Sequence, residues 1–332
     1  MSDTVGKEMT REPVRNVEIT PDADGQRVDN FLSGQLKGMP SSRVYRLLRS
    51  GQVRVNGGRV KAGYRLRTGD RLRIPPVWVR DREADPLAPP RSRVREALGG
   101  ILLEDDDIIV INKPGGMAVH GGSGIDWGLI ELLRAGRPDA QTMELAHRID
   151  RHTSGCVVIA KHRAALGALH DLFRSGAVKK CYATLLAGRW RGGSLRVNRP
   201  LSRHPSGGRV SVDEGGKPAR SRFQPIAHLG VATLVKATID TGRTHQIRVH
   251  AASIGHPVAG DAKYGDFEFN RRMRKYGLTR MFLHAESLDF VLPVTGRHYR
   301  LTAPLDPELT SVLAALGSGD QRACGKVASG EG

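Results

Sequence analysis

From Val17 onward the chain switches between two hydrophobic periods, and the switches mark out its elements. Val28, Phe31, Leu32 and Leu36 recur three and four positions apart, which predicts a helix over 27–37. Val44, Leu47 and Leu48 predict a second helix after Pro40, with Ser41 or Ser42 at its N-cap. After Gly51 the period falls to two, because Val53 and Val55 alternate with Gln52, Arg54 and Asn56. Asn56-Gly57 then supplies a turn and Leu72-Arg73-Ile74 a closing strand. Residues 77–98, with Pro86, Pro89 and Pro90, read as a polar, Pro-rich linker between two domains. A larger pattern begins at Gly99. The unbroken apolar run 108–111 predicts a buried strand, 127–133 and 163–173 predict helices, and 182–186, 221–228, 232–239, 283–291 and 299–302 predict further strands. Long strands separated by irregular loops indicate an α+β fold rather than regular βαβ units. Residues 1–16 are expected to form a disordered arm and 317–332 a flexible Gly/Ser-rich tail.

Charge changes this picture most. The 332 residues carry a formal net charge of +18, a field that attracts polyanions. The block 17–76 holds twelve Lys and Arg against five Asp and Glu. Arg43, Arg46 and Arg49 fall on one side of its second helix, with Arg54 on the strand after it. Such concentration in a small domain is the footprint of phosphate binding rather than of a generic solvated face. No run of about 18 apolar residues exists to span a membrane. Residues 1–16 lack the apolar core of a secretory signal. Cys156, Cys181 and Cys324 share no metal-type spacing and read as free thiols, with Cys156 in a core. These features together point to a cytoplasmic protein that binds a polyanion, with nucleic acid or an anionic membrane as the candidates.

The chemistry-bearing segment is His147-Arg148-Ile149-Asp150-Arg151-His152-Thr153-Ser154-Gly155. Asp150 stands between two arginines, which favour its ionised form, and beside a turn from which it can approach a ligand. Read without context, the same Asp can equally cap its own turn. A second segment, Thr241-Gly242-Arg243-Thr244-His245-Gln246-Ile247-Arg248-Val249-His250, offers two histidines. Their spacing of five puts them on different sides of a helix, unlike the spacing of four that holds zinc. The acidic run 104–107 reads as a solvated turn between strands.

Together these segments resemble the RluA/RluC-type RNA pseudouridine synthases, whose signature is His-Arg-Leu-Asp-x-x-Thr-Ser-Gly. Ile149 replaces the Leu, and His152 stands where many relatives carry an acid. The Arg-Val-Asp-Asn-Phe-Leu opening, the stretch 42–51 and Val-Arg-Val-Asn-Gly resemble an S4 RNA-binding domain. The resemblance spans Val17 to about Leu316. It implies a small S4-like domain at 17–76 and a catalytic domain at 99–316, the latter on a mixed, mostly antiparallel sheet with flanking helices.

The resemblance further implies roles for individual residues. Asp150 becomes the catalytic residue, Arg248 its partner, and Arg148 a filler of the space left by an extruded uridine. Tyr182, in Lys179-Lys180-Cys181-Tyr182, becomes a stacking platform for the base, and Ile247 an apolar wall. Asn112-Lys113-Pro114-Gly115-Gly116 reads as support near the cleft. Gly255-His256-Pro257-Val258 through Arg271 most resembles the RluC subgroup, which modifies large-subunit ribosomal RNA. The implied reaction uses neither cofactor nor metal, and the implied partner is RNA, 23S ribosomal RNA or a large-subunit precursor, bound by a monomer. A non-enzymatic S4-type RNA-binding or ribosome-assembly factor would share the charge but have no need for Asp150 with Arg248. A metal-dependent nuclease would need the Asp and His residues as ligands.

Overall fold

The computed structural model describes residues 9–327 except 37, 38, 40, 81–88, 123, 124, 126, 138–141 and 205–207. It divides into two compact units, Met1–Ala88 and Pro89–Gly332.

The first unit begins with strand β1 (Met9–Glu12), inside the stretch expected to be a disordered arm, and β2 (Arg15–Glu18), whose first two residues fall in that stretch. Two helices follow, α1 (Val28–Gln35) and α2 (Ser41–Arg49), then β3 (Arg54–Val55), β4 (Gly58–Arg59), β5 (Arg71–Ile74) and β6 (Val77–Arg80). Strands order as β2-β5-β3-β4, and β1 pairs with β6 in a separate ribbon. Val28 and Leu32 of α1 meet Val44 and Leu48 of α2, and Val55 and Leu72 of the sheet, in one core, which gives the helical and alternating patterns their common partner. At the β3–β4 hairpin Asn56 and Gly57 both adopt positive φ, 50° and 79°, as the Asn-Gly pair permits.

The second unit starts earlier than the pattern suggests. Helix α3 (Arg91–Gly99) occupies the expected linker and buries Ala97 against Ile109 and Ile111. The linker expectation therefore fails at both ends, since β6 and α3 are ordered there. Their few apolar residues pair with distant partners, which a local count does not reveal. The unit continues with β7 (Ile101–Glu104), β8 (Ile108–Lys113), α4 (Leu129–Gly136), β9 (Glu144–Leu145), β10 (Ser154–Ala160), α5 (Arg163–Ser175) and β11 (Lys179–Ala187). Then come β12 (Leu195–Asn198), β13 (Leu201–Arg203), β14 (Val210–Val212), β15 (Arg220–Leu229), β16 (Ala232–Ile239), α6 (Gln246–Ser253) and α7 (Phe267–Arg274). Last are β17 (Leu283–Leu292), β18 (Arg297–Thr302) and α8 (Pro307–Val327), which runs past 317 into the expected tail. The acidic run 104–107 falls at the β7–β8 turn.

The ten-stranded sheet has the order β12-β15-β16-β11-β17-β10-β8-β7, with β18 on β17 and β9 on β10. It is mixed and mostly antiparallel; β10 and β17 run parallel. Its faces are separated by residue parity. Ile109 and Ile111 of β8 pack under α3 and α4, whereas Ile108 and Val110 pack under α5. A strand buried on both faces has no alternation, hence the unbroken apolar run. Helix α6 covers Phe223, Val235 and Ala237 on the α3–α4 face. Tyr182 touches both cores of that face, so it lies between them.

Gly155 explains why the Thr-Ser-Gly segment closes with glycine. Its φ is +110°, and a Cβ there would lie 2.3 Å from the Ala285 carbonyl oxygen across the β10–β17 pairing. That pairing sets where the loop before β10 ends.

Candidate active site

Asp150 is carried by the loop between β9 and β10. The Thr153 N–H donates to the Asp150 carbonyl at 3.1 Å and closes a turn. Behind it, the fully buried Lys113 ammonium donates to the carbonyls of Pro114, Met117 and Arg151 at 2.8, 2.8 and 3.2 Å. The Arg151 Nε donates to the Gly116 carbonyl, and the Gly116 N–H to the Arg151 carbonyl, both at 2.9 Å. The Lys-Pro-Gly-Gly loop and the Asp150 loop are thus one hydrogen-bonded body. Burial lowers Lys113 to about 7, with Arg280 pushing the same way and Asp150 opposing. On the other flank His147 accepts from the Val158 N–H at 3.0 Å and stacks on Phe173. Burial, helped by the Lys180 charge, depresses its pKa to about 3, so it is a neutral structural group.

The carboxylate of Asp150 reaches across to α6. Its Oδ2 accepts from Arg248 Nη1 at 3.0 Å. The flanking arginines, expected to hold the acid ionised, do not pair with it: Arg148 is exposed, and Arg151 faces Gly116. The charge partner comes instead from 98 residues away. Arg248 is itself gripped from behind, since its Nε and Nη2 donate to Asp261 Oδ2 and Oδ1 at 2.7 and 2.9 Å. A guanidinium has five N–H donors in a fixed fork, and here two carboxylates use three of them. The Arg248 side chain is 9% exposed and Asp261 1%, whereas Asp150 keeps 25% of its surface, so the outer acid alone is open to a ligand. Burial opposes the charge on both partners. The mutual attraction overcomes it, raising Arg248 and holding Asp261 below the usual carboxylate range.

The loop before α6 is fixed by Gln246. Its Oε1 accepts from Thr241 Oγ1 and the Arg243 N–H, at 2.7 and 3.0 Å. Its Nε2 donates to the Arg220 carbonyl and Ser221 Oγ on β15. His245, at the N-cap of α6, adopts left-handed φ 55° and ψ 20°. A non-glycine residue in that region stores about 1–3 kcal/mol of strain, which the surrounding contacts must hold. The metal alternative does not draw the two histidines together. His250 is buried and bonds Ser221 and the Arg199 carbonyl, while His245 bonds Tyr264. Among the described residues no group of three or more His, Cys, Asp or Glu is placed to hold a metal ion.

Arg148, Asp150, Tyr182, Ile247 and Arg248 line one cleft of about 110 Å³, together with His245. Tyr182 is half-buried at its floor, and burial followed by the Asp150 charge raises its phenol above the ordinary value, keeping it protonated. Ile247 is 4% exposed and adds an apolar wall. The four arginines expected to contact RNA lie in the first unit. Arg46, Arg49 and Arg54 are exposed and Arg43 half-buried, and among the described residues none of the four pairs with a carboxylate. Sequence reasoning passed over Asp261, His245 with Tyr264, and the three-carbonyl grip of Lys113. A signal for Asp261 existed, because a buried Arg has more donors than one Asp can satisfy.

These features define a cleft that presents one open acid held by a buried ion pair, and comparison with known proteins supplies the family. The family described as RNA pseudouridylate synthase matches residues 107–253, and the S4 domain matches 26–72. The chain belongs to the RNA pseudouridylate synthase family and carries an S4 domain ahead of its catalytic domain. It is 47% identical over 319 residues, 95% of this chain and 98% of the relative, to ribosomal large subunit pseudouridine synthase C of Pasteurella multocida. With the protein of that name from Escherichia coli K12 it shares 48% over 308 residues, 91% of this chain and 97% of the relative. Among solved structures, human RNA pseudouridylate synthase domain containing 1 superposes with a TM-score of 0.55 at 29% identity, covering 65% of this chain and 86% of that one. The enzymatic reading thereby displaces the non-enzymatic S4 factor.

Proposed function

We propose that the chain isomerises uridines of bacterial 23S ribosomal RNA to pseudouridine, with Asp150 as its catalytic residue, acting as a monomer in the cytoplasm. The observation that carries the site assignment is the Asp150–Arg248–Asp261 arrangement, one open acid held by a guanidinium that a second, buried acid pins. In the reaction the C1′–N1 bond breaks and a C1′–C5 bond forms. C5 loses a proton and N1 gains one, so no outside group is consumed. A uridine inside a helix must leave the stack to be reached. Tyr182 then lies against the extruded base, Arg148 takes its vacated place, and Ile247 closes the apolar side. Asp150 serves as nucleophile or base, and Arg248 pairs with it and aims it. The names of the Pasteurella and Escherichia relatives support ribosomal RNA as substrate. No helix among the described residues is long and apolar enough to cross a membrane, which accords with a cytoplasmic site.

Mapping pseudouridine across ribosomal RNA from cells with and without the gene tests this. Sites in large-subunit RNA are expected to vanish with the gene and return with the parent chain but not with Asp150→Asn. An unchanged map would overturn the substrate. The S4 unit supplies sequence-independent affinity through Arg43, Arg46, Arg49 and Arg54, none of which pairs with a carboxylate among the described residues. Replacing all four with Gln is expected to weaken RNA binding. It should also flatten the dependence of log K on log[salt] by about 3–4, near one unit per lost phosphate contact. Filter binding over a salt series reads both, and an unchanged slope would move the RNA contact elsewhere.

A further inference from the structure

His245 is in the cleft, yet none of the roles above uses it. Its surroundings favour one of its two neutral tautomers. Nδ1 lies 2.8 Å from the Tyr264 hydroxyl. That hydroxyl oxygen already accepts from the Val210 N–H at 2.9 Å, a group that can only donate. With Val210 donating to that oxygen, the Tyr264 O–H is free to point at Nδ1, and in that arrangement Nδ1 accepts and the neutral ring carries its hydrogen on Nε2. The other end agrees. Nε2 lies 3.9 Å from Asp150 Oδ2, and a bare lone pair facing a carboxylate would be repelled, whereas an N–H is attracted. At that separation there is no hydrogen bond, so among the described residues Nε2–H faces the Asp150 charge but has no hydrogen-bond partner. The side chain is 19% exposed and lines the same cleft as Tyr182 and Ile247.

We propose that His245 is a catalytic hydrogen-bond donor whose Nε2–H binds a carbonyl oxygen of the extruded uracil and stabilises the negative charge that forms there. This rests on the Asp150 site reading and deepens it. When the C1′–N1 bond breaks, the uracil keeps the bonding pair, which spreads onto its two carbonyl oxygens. When a nucleophile adds to the pyrimidine ring instead, charge collects on a carbonyl oxygen as well. A donor aimed at that oxygen therefore favours the transition state by either route. The proton remains on His245 throughout; once C5 bonds to C1′, the pair returns to the ring and the hydrogen bond relaxes.

A neutral ring suits this task because it avoids handing its proton to the leaving base. Of the groups facing His245, Asp150 and Asp261 favour its cation, and Arg248 and Lys263 oppose it. Burial is the largest influence, and the net effect lowers its pKa. The left-handed backbone at His245, held by the Gln246 contacts, presents the ring to the cleft instead of letting it follow the helix. Tyr264 is in turn fixed by the cations around it, with the Arg248 guanidinium 5.0 Å from its ring centroid.

The test uses the full chain and an unmodified 23S ribosomal RNA transcript tritiated at uridine C5, with tritium release as the readout. His245→Ala is expected to lower kcat about 10²-fold while KM stays within about threefold, because the contact strengthens only as charge develops. His245→Gln, whose amide nitrogen reaches the Nε2 position, should recover at least about tenfold of that loss, and His245→Asn, whose amide sits near Nδ1, should not. Nitrogen-15 spectra of histidine-labelled parent protein, which need no variant to fold, should show Nε2 protonated and Nδ1 bare in the His245 ring. A His245→Ala enzyme with kcat within about twofold of the parent, or a ring protonated on Nδ1, overturns the inference. If Asp150→Asn is inactive at that point, the assignment of Asp150 stands. If Asp150→Asn is active, both fall together.

Discussion

Asp150→Asn is expected to abolish pseudouridine formation, with kcat falling by at least about 10⁴-fold, as when a residue at the reacting centre is removed. The asparagine keeps the shape and one hydrogen-bond acceptor toward Arg248 Nη1 but has neither a nucleophilic oxygen anion nor basicity. The variant should fold, because Asp150 is a quarter exposed and Arg248 remains neutralised by Asp261. RNA affinity should stay within about threefold, since phosphate contacts dominate binding and the substitution leaves every Lys and Arg in place. Tritium release from C5-labelled RNA measures the first quantity, filter binding the second, and the unfolding midpoint confirms the fold. An Asn enzyme that works at the parent's rate would remove Asp150 from the mechanism.

The sequence pattern made Asp150 and Arg248 visible because each sits in a dense local motif. The pattern could not show how they meet. The local reading assigned the charge partner of Asp150 to Arg148 and Arg151, its neighbours in the chain. The fold instead turns Arg151 to the Gly116 loop and brings Arg248 in from α6. Asp261 lies inside the segment 255–271, noted only for its resemblance, and its role as the inner anchor depends on where that loop lies relative to α6. Gly260 lets that loop lie against the segment before β17, with φ +73° and a would-be Cβ only 2.1 Å from the Arg280 carbonyl oxygen. The strands and helices of both units were largely legible from periodicity, and β16 coincides with the expected strand end to end. The segments around β1, β6 and α3 were not. Two are paired to each other across the first unit, and the third buries a single alanine, so neither pairing nor burial leaves a local trace.

Asp261→Asn should damage both stability and catalysis, although Asp261 is almost fully buried and touches no substrate. Its Oδ1 accepts from Arg248 Nη2 and from the N–H groups of Lys263 and Tyr264, and its Oδ2 from Arg248 Nε. All four partners are donors. An asparagine can turn its oxygen toward the three, but its NH₂ then opposes Arg248 Nε–H, and the guanidinium loses its second counter-charge. Breaking a buried pair from one side destabilises by about 3–5 kcal/mol. The effect depends on pH in a definite direction. Asp261 is held below the ordinary carboxylate value of 3.8, so its contribution is complete above about pH 4 and disappears as pH falls through the lowered folded-state value. Urea unfolding of parent and variant should therefore differ most near neutrality and converge in acid. Equal stability at pH 7, or a gap that widens on acidification, would show that Asp261 is not the charged anchor. The catalytic loss follows from geometry. With one fork released, Arg248 is free to tilt, and a displacement of about 1 Å at a positioning group can lower the rate about 10²-fold. Asp150 would remain in place and ionisable, so the fall should appear in kcat, with RNA affinity preserved.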